Sequence, residues 1–387
     1  MHQRIKRNEL KPGMFVVSHG LGTFVSPIVH VGAHIFLQSQ IQALVPPDVE
    51  DVLIDTAAAM PLPDEATPLG APVTVSLGEE LPAARRLYSE ALDYVRHFVD
   101  GVRRGTHADL NAATPLVESF IESVFRNETA AVTLFKLRGF DEYTYTHSIN
   151  VSILAVLLGK HLGLGRPDLL KLGLAGLLHD VGKARLPASI LKKPGKLTES
   201  EFRAVQTHPA ESHKLLLQHE NMPPEVLRAV LEHHERHDGS GYPHGHKGDA
   251  IATFSRIVAL VDVYDALTSQ RVYKAAMAPA KALSLMFQMR GGQFAADDID
   301  NFIRCIGVFP VGSFVRLSGG EFGIVARANP LRPTKPEIKV ILDSAMCPRK
   351  PCTLNLEALE GTPESQDIAE VLSPAEHRID LERYIDA

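Results

Sequence analysis

Histidines and aspartates on otherwise apolar helices are the feature that most constrains how this chain folds. Asp262 directly follows the apolar stretch 257–261 within one predicted helix, where a carboxylate is costly to bury unless it is paired or binds a cation. Comparable side chains stand at the ends or inner faces of four more predicted helices. They are His147, His179 with Asp180, His208, and His233 with His234. We therefore predict a helical domain in which five helices bring these groups to one centre.

Local signals mark where these helices begin. Apolar residues at three- and four-residue spacing identify the buried faces, and proline is favoured in a first turn. Thr198-Glu199-Ser200-Glu201 is a capping box, and the helix that it opens should stop near His208 because Pro209 follows. The predicted core helices begin near residues 144, 167, 199, 224 and 251.

The fold class predicted for the chain is mainly α, with β-rich flanks. The predicted segments are a β-rich domain at 1–75, a helical linker region at 76–134, a helical domain at 135–306, and a small β unit with a polar tail at 307–387. In the first of these, strands are expected at 14–17, 24–25, 28–29 and 52–55.

The linker and the C-terminal segment have patterns of their own. An apolar stripe through Leu87, Ala91, Val95 and Phe98 indicates a helix that could join the halves of the chain or mediate homodimer packing. Two strands joined by a Ser-Gly-Gly turn are predicted after residue 309, and a third at 337–342. The polar end from 360 onward is expected to be loosely ordered.

Composition excludes several classes of function. The formal net charge of the 387 residues is −6, so a broad basic surface for nucleic-acid polymers is not expected. No apolar run reaches the roughly 20 residues of a membrane span, and the first residues lack the apolar core of a secretory signal. We therefore expect a cytoplasmic protein. The three cysteines are interpreted as incidental reduced thiols.

The residue types among the candidate ligands narrow the choice of metal and of reaction. Taken singly, Asp262 could cap a helix, and His147 or His208 could be an ordinary core or surface histidine, but together the seven groups indicate metal binding. Imidazoles and carboxylates without thiolates favour iron or manganese, with zinc, nickel and cobalt as alternatives. Seven ligands are too many for one ion, so we predict two divalent ions sharing a bridging carboxylate, that of Asp180. Such a pair activates water and clamps a phosphoryl group, which suits phosphodiester hydrolysis.

Several motifs together resemble a known family. The segment HDVGK at His179 is similar to the signature of HD-domain metal-dependent phosphohydrolases, and HHERHDGSGYP from His233 resembles that of the HD-GYP subgroup. Further similar segments are YTYTHSIN, KPGKLTESEF with THP, and VDVYDALTSQRVYK. The resemblance covers roughly residues 135–305. Residues 1–75 more weakly resemble a domain of unknown function found ahead of HD-GYP domains, through LKPGM and VLIDT.

The resemblance implies an all-helical phosphodiesterase that hydrolyses cyclic di-GMP to pGpG and onward to GMP. It makes the seven groups the metal ligands, namely His147, His179, Asp180, His208, His233, His234 and Asp262. It gives Asp180 and Lys183 catalytic roles, and it makes Lys183, Gly241, Tyr242, Pro243, Asp265, Arg271 and Lys274 substrate contacts. Some family members hold a third metal through a glutamate one turn before the first histidine. Tyr143 stands at that position here, so we predict two metals.

Two other functions remain open at this point. The chain could hydrolyse another cyclic dinucleotide, such as cyclic GMP-AMP, with the same metals. Alternatively it could be a noncatalytic receptor that binds cyclic di-GMP or a diguanylate cyclase or other signalling protein. A pure receptor has no chemical need for the complete ligand set, which disfavours the second alternative.

Overall fold

The structure is a computed structural model that describes residues 2–11, 14–19, 29–34, 45–47, 49–56, 75–106, 110–130, 143–191, 193, 195–219, 221–269, 276–329, 334–372, 377 and 379. The chain divides into two compact units, Met1–Val73 and Thr74–Ala387. Among the helices of the described ranges, none has the length and apolar character needed to cross a membrane.

The first unit contains an antiparallel sheet. Its strands are β1 (His2–Lys6), β2 (Phe15–His19), β3 (Val29–His34) and β4 (Asp51–Asp55), in the order β1-β4-β2-β3. Val16, Val52 and Ile54 are buried and form part of a small core of their own. The predicted strands at 14–17 and 52–55 correspond to β2 and β4, and the one at 28–29 overlaps β3 only at Val29. Strand β1 was not predicted, and the predicted strand at 24–25 lies outside the described residues.

The second unit is largely helical. Its helices are α1 (Leu77–Arg104), α2 (Ala113–Arg126), α3 (Tyr143–His161), α4 (Arg166–Leu178), α5 (Ala188–Leu191), α6 (Glu199–Val205), α7 (His208–Leu216), α8 (Pro224–Glu232), α9 (Thr253–Thr268), α10 (Pro279–Gln288) and α11 (Ala296–Ile306). Buried residues of α1 and α2, in the segment predicted as a linker, join the same hydrophobic core as those of α3, α4 and α9.

Glycines let α3 and α4 approach closely. A Cβ at Gly176 would lie 2.8 Å from Cα of Ser152 and 2.9 Å from its nitrogen, so a side chain there would push the helices apart. Ser152 Oγ donates a hydrogen bond to the carbonyl oxygen of Gly173, at 2.8 Å. The close contact fixes the position of His147 on α3 relative to the end of α4.

A 3-10 turn, Val181–Arg185, follows α4 and packs on α7. Ser212 of α7 accepts a hydrogen bond from the Gly182 amide at 2.8 Å and donates one to the His179 carbonyl oxygen at 2.9 Å. The helix opened by the capping box ends at Val205, and Pro209 then occupies the first turn of α7, where its missing amide hydrogen costs nothing. His208 is thereby held against the chain that follows α4.

The C-terminal sheet is larger than predicted. Its strands are β5 (Phe314–Leu317), β6 (Phe322–Arg327), β7 (Glu337–Leu342), β8 (Pro348–Asn355) and β9 (Ile368–Leu372), in the order β8-β7-β6-β5-β9. The hairpin β5-β6 and strand β7 were predicted, whereas β8 and β9 were not. The expectation that the chain is loosely ordered after residue 360 was wrong for β9, which pairs with β5. The predicted mainly helical class with β-rich flanks is confirmed.

Candidate metal centre

Helix ends carry most of the predicted ligands. His179 is the C-cap of α4 and His233 the C-cap of α8, while His208 is the first residue of α7. His147 lies near the start of α3, and Asp262 lies within α9. All five are buried. The five helices therefore bring these groups together, as the sequence predicted.

Backbone carbonyl groups orient three of the histidines. Each of the three places Nδ1 2.7 Å from the carbonyl oxygen three residues earlier in the chain. The pairs are His179 with Gly176, His208 with Val205, and His233 with Val230. A carbonyl oxygen can only accept, so Nδ1 carries the hydrogen. Nε2 is then left with its lone pair, the form in which imidazole binds a metal.

A carboxylate orients the fourth histidine. Nδ1 of His147 donates to Oδ2 of Asp265 at 2.8 Å. Asp265 is buried and also accepts hydrogen bonds from Asn150, at 2.9 Å, and Ser269, at 2.8 Å. Nε2 of His147 points to the opposite side, 3.1 Å from Oδ1 of Asp262. This arrangement favours a role for Asp265 in holding His147 rather than the substrate contact that the resemblance implies.

The potential ligand atoms form two groups. Within each group, the nitrogen and oxygen atoms all lie within 4.8 Å of one another. The first group is Asp180, His208, His233 and His234, and the second is His147, His179 and Asp262. Each group offers imidazole and carboxylate donors without a thiolate, which is a set suited to one divalent transition-metal ion.

Asp180 lies between the two groups. Its Oδ1 is 3.1 Å from Nε2 of His208 and 3.8 Å from Nε2 of His233. Its Oδ2 is 3.3 Å from Nε2 of His179 and 3.6 Å from Nε2 of His147. One carboxylate oxygen thus faces each group, which is the geometry of a carboxylate able to bridge two ions.

Two buried polar atoms at this centre make no hydrogen bond among the described residues. They are Nε2 of His179 and Oδ1 of Asp180, whose nearby nitrogens and oxygens lack hydrogen-bond geometry. A buried donor or acceptor left unsatisfied costs about 1–3 kcal/mol, and such atoms are rare in folded proteins. Coordination to a cation would satisfy both atoms, so the residues present fit a metal centre.

The electrostatics also suit cation binding. Burial raises the pKa of Asp180, but His179 and Lys183 outweigh it and hold the pKa well below its usual range. Burial lowers the pKa of His233 far below its usual range and that of His234 to about 3. Ionised carboxylates and neutral imidazoles are the protonation states that metal ions require.

His147 differs from the other histidines. Burial alone lowers its pKa, but hydrogen bonds to Asp262 and Asp265 outweigh burial and raise the pKa to about 9. In the metal-free centre, both ring nitrogens of His147 therefore carry a proton at neutral pH, and the ring is positively charged. That positive charge compensates part of the negative charge of the buried aspartates.

Lys183 borders the centre. Its Nζ lies 2.5 Å from Oδ2 of Asp180, and about a quarter of the side chain is exposed, at 26%. Lys183 therefore reaches from solvent to the carboxylate that faces both ligand groups. That position is compatible with the predicted contact to a phosphate.

The Gly-Tyr-Pro turn packs on the ligand-bearing segment. Tyr242 donates its amide hydrogen to the His234 carbonyl oxygen at 3.2 Å, and the two rings lie 4.8 Å apart. A Cβ at Gly241 would lie 2.5 Å from both Cα of Glu235 and the carbonyl oxygen of His234, so glycine is required there. Pro243 is exposed at the outer end of the turn.

Some predicted site residues are not placed. Arg271 and Lys274 lie outside the described residues, as does the side chain of Tyr143. The sequence reasoning missed the orienting groups Asn150 and Ser269. A usable signal was present, because Asp262, Asp265 and Ser269 recur at three- and four-residue spacing along one face.

Two family models match the chain. A model described as an HD domain matches residues 126–297, and one for a domain of unknown function, DUF3391, matches residues 2–113. The first covers the helices that carry both ligand groups.

Curated relatives extend this likeness. The cyclic di-GMP phosphodiesterase PA4108 of Pseudomonas aeruginosa is 36% identical over 89% of this chain and 86% of its own length. The cyclic di-GMP phosphodiesterase response regulator RpfG of Xanthomonas campestris pv. campestris is 42% identical over 40% of this chain and 41% of its own length. The 3'3'-cGAMP-specific phosphodiesterase 3 of Vibrio cholerae is 43% identical over 37% of this chain and 31% of its own length. The chain belongs to the HD-domain family that contains the cyclic di-GMP phosphodiesterase PA4108.

Proposed function

We propose that this protein is a metal-dependent phosphodiesterase that hydrolyses cyclic di-GMP to pGpG, with further cleavage to GMP as its second step. The observation that carries the proposal is the position of Asp180, with one oxygen toward each of two largely buried ligand groups. The identity to PA4108 over 89% of the chain supports the choice of substrate. We expect the protein to act in the cytoplasm, on a soluble second messenger.

Two divalent ions would occupy the centre. Asp180, His208, His233 and His234 would hold one, and His147, His179, Asp262 and the shared Asp180 the other. Iron and manganese suit this thiolate-free donor set, and zinc, nickel and cobalt are the alternatives to compare. Bound there, such a pair supplies an acidified water and charge neutralisation at the phosphoryl group.

The other predicted site residues would bind the substrate or orient a metal ligand. Lys183, beside Asp180 at the edge of the centre, would contact the scissile phosphate as a point charge. Arg271 and Lys274 are proposed to contact the phosphates as well. Gly241, Tyr242 and Pro243 would form the wall beside the guanine base or the phosphate. Asp265 would act through His147, by fixing the direction of Nε2.

Product analysis with cyclic di-GMP tests the proposal. Protein purified anaerobically would be supplied in parallel with Fe(II), Mn(II) or Zn(II), and products separated by chromatography. We expect pGpG or GMP from the wild type, and no turnover and less bound metal in Asp180→Ala and His179→Ala. Asp93→Ala is a matched control, because Asp93 is an exposed aspartate whose ion pair within the described part of the chain is with Arg96 of the same helix. Near-normal turnover in Asp180→Ala, or intact substrate with every metal, would contradict the proposal.

Cyclic GMP-AMP is the second candidate substrate. The 43% identity to a 3'3'-cGAMP-specific phosphodiesterase over 37% of this chain favours including it. Both substrates carry the same phosphodiester groups, so the same centre could cleave either one. Competition between equal concentrations of the two dinucleotides would give the ratio of kcat/KM directly, and we expect that ratio to favour cyclic di-GMP.

A further inference from the structure

A third group of potential metal ligands lies outside the centre described above. It consists of Glu235, His244 and His246, whose ligand atoms all lie within 4.8 Å of one another. Glu235 follows the histidine pair, and the two histidines follow the Gly-Tyr-Pro turn in the irregular segment 241–247. The group therefore joins both ends of the motif that begins at His233.

The Glu235 carboxylate is buried and interacts with the neighbouring Arg236 guanidinium only at a distance longer than an ion pair. Only 2% of the residue is exposed, and no lysine or arginine of the described ranges forms an ion pair with it. Its two oxygens accept the amide hydrogens of His244, at 2.7 Å, and His246, at 3.0 Å. By contrast, nearby Glu232 has Arg228 at 2.9 Å. A buried carboxylate is normally paired or coordinates a cation, so Glu235 points to a cation.

The imidazoles of His244 and His246 lie beside the Glu235 carboxylate. Their rings are stacked, with centroids 5.0 Å apart and an interplanar angle of 20°. Gly245 between them has a φ of +69°, a conformation that suits glycine and reverses the chain. Nδ1 of His246 is buried, lies 3.5 Å from Oε1 of Glu232 and makes no hydrogen bond among the described residues. The side chains of His244 and His246 are 48% and 38% exposed, so the group borders solvent.

We propose that Glu235, His244 and His246 form a peripheral site for a divalent ion of borderline softness, Zn²⁺ or Ni²⁺. Two imidazoles and one carboxylate, with a position left for water, are a ligand set that zinc accepts. Nδ1 of His244 lies 3.8 Å from Oε1 of Glu235. Two ligands of a tetrahedral zinc lie roughly 3.3 Å apart, given metal–ligand distances of about 2.0–2.1 Å. A small rotation of an exposed imidazole closes that difference.

The ion would brace the Gly-Tyr-Pro turn. The turn is joined to the histidine segment by the hydrogen bond from Tyr242 to His234, and at its far side by the hydrogen bonds to Glu235. A metal bond between Glu235 and the two histidines would add a crosslink on the solvent side of the same turn. The site is separate from the binuclear centre and does not depend on its activity.

Zinc stoichiometry tests this site. Full-length protein would be dialysed to equilibrium against micromolar Zn(II), and zinc per chain measured by mass spectrometry. We expect the double variant His244→Ala/His246→Ala to hold one zinc fewer than the wild type. His97→Ala, which removes an exposed imidazole from α1, should lose none. Equal zinc in the double variant and the wild type would overturn the proposal, and so would an equal loss in His97→Ala, which indicates adventitious binding to surface histidines.

The same comparison in an Asp180→Ala background separates this site from the centre. The loss of one zinc on adding the two histidine substitutions should persist there, whether or not the protein turns over cyclic di-GMP. Zn(II) should also raise the melting temperature of Asp180→Ala, and the rise should be smaller after the histidine substitutions. An unchanged rise would count against the site. Circular dichroism would establish that each variant is folded.

Discussion

Replacing Asp265 by asparagine separates two roles for this residue. The substitution keeps the shape of the side chain but removes its charge and exchanges one acceptor oxygen for an NH2 group. One carboxylate oxygen of Asp265 faces the Nδ1 hydrogen of His147, and the other faces the Asn150 amide. In either orientation, the NH2 group of the new asparagine therefore faces another N–H donor, that of His147 or that of Asn150. His147 would lose its fixed direction or its proton position.

The size of the effect follows from these contacts. A hydrogen bond to a charged group contributes about 1.5–3 kcal/mol. Loss of a partner that orients a metal-binding histidine costs about 10- to 100-fold in metal affinity or activity. That loss equals about 1.4–2.7 kcal/mol of binding free energy, which agrees with the loss of one such hydrogen bond. We therefore expect Asp265→Asn to bind its second metal about 10- to 100-fold more weakly.

Calorimetric titration of the metal-free protein with Mn(II) would measure this change. Asp300→Asn is a matched control, because Asp300 is a helical carboxylate that holds Arg290 through two hydrogen bonds away from the ligand groups. The control should bind Mn(II) as the wild type does. If Asp265→Asn kept full metal affinity and showed only a raised KM, the orienting role would be refuted, and substrate contact would be favoured.

Two further predictions concern pH and the turn. In metal-free protein, the pKa of His147 is raised to about 9 from its ordinary value of 6.5, so its stabilising contribution is complete below pH 6.5 and is lost as pH rises through 9. Urea unfolding should show a loss of about 3 kcal/mol between pH 6.5 and 9.5, and a flat profile would contradict the assignment. Gly241→Ala should lower kcat/KM at least about tenfold, because its Cβ would meet the backbone of the histidine segment. Gly78→Ala, whose Cβ meets nothing within 4 Å, is the control, and equal activity of the two variants would refute the argument.

Local signals were sufficient to predict the core helices. The capping box at Thr198 opens α6, and prolines occupy the first turns of α4 and α8. The helix around Asp262 was placed within two residues of its ends. These features depend on residues within one or two turns, so the sequence contains the information directly.

The C-terminal sheet shows where local signals fail. Strand β9 follows a polar stretch and has no alternating apolar pattern, since its exposed and half-exposed residues do not separate onto two faces. Its partner β5 lies about fifty residues earlier, and the pair is joined by the ion pair between Arg316 and Glu370, at 3.1 Å. Such pairing depends on tertiary contacts, which cannot be inferred from residues that are neighbours in the sequence.

The division of the ligands into two groups was likewise beyond the sequence. His233 and His234 are adjacent in sequence and belong to one group, but His179 and Asp180 are adjacent and divide between two. Only the packing of α4 against α3 and α8, and of the following 3-10 turn against α7, determines which ions each side chain could reach. The prediction that Asp180 is shared rested on the number of ligands, and the positions of its two oxygens now support it.

One regularity of the centre connects helix termination with metal chemistry. The carbonyl groups in the last turn of a helix lack intrahelical partners. At the ends of α4, α6 and α8, a histidine placed three residues after such a carbonyl donates its Nδ1 hydrogen to it. The same hydrogen bond caps the helix and turns Nε2 toward the centre. Because the acceptor is a backbone carbonyl group, this orientation does not depend on the identity of the residue that supplies it. It depends only on the spacing between the helix end and the histidine. A histidine directly after an apolar helix is therefore a sequence pattern that predicts both the end of the helix and the direction of a ligand.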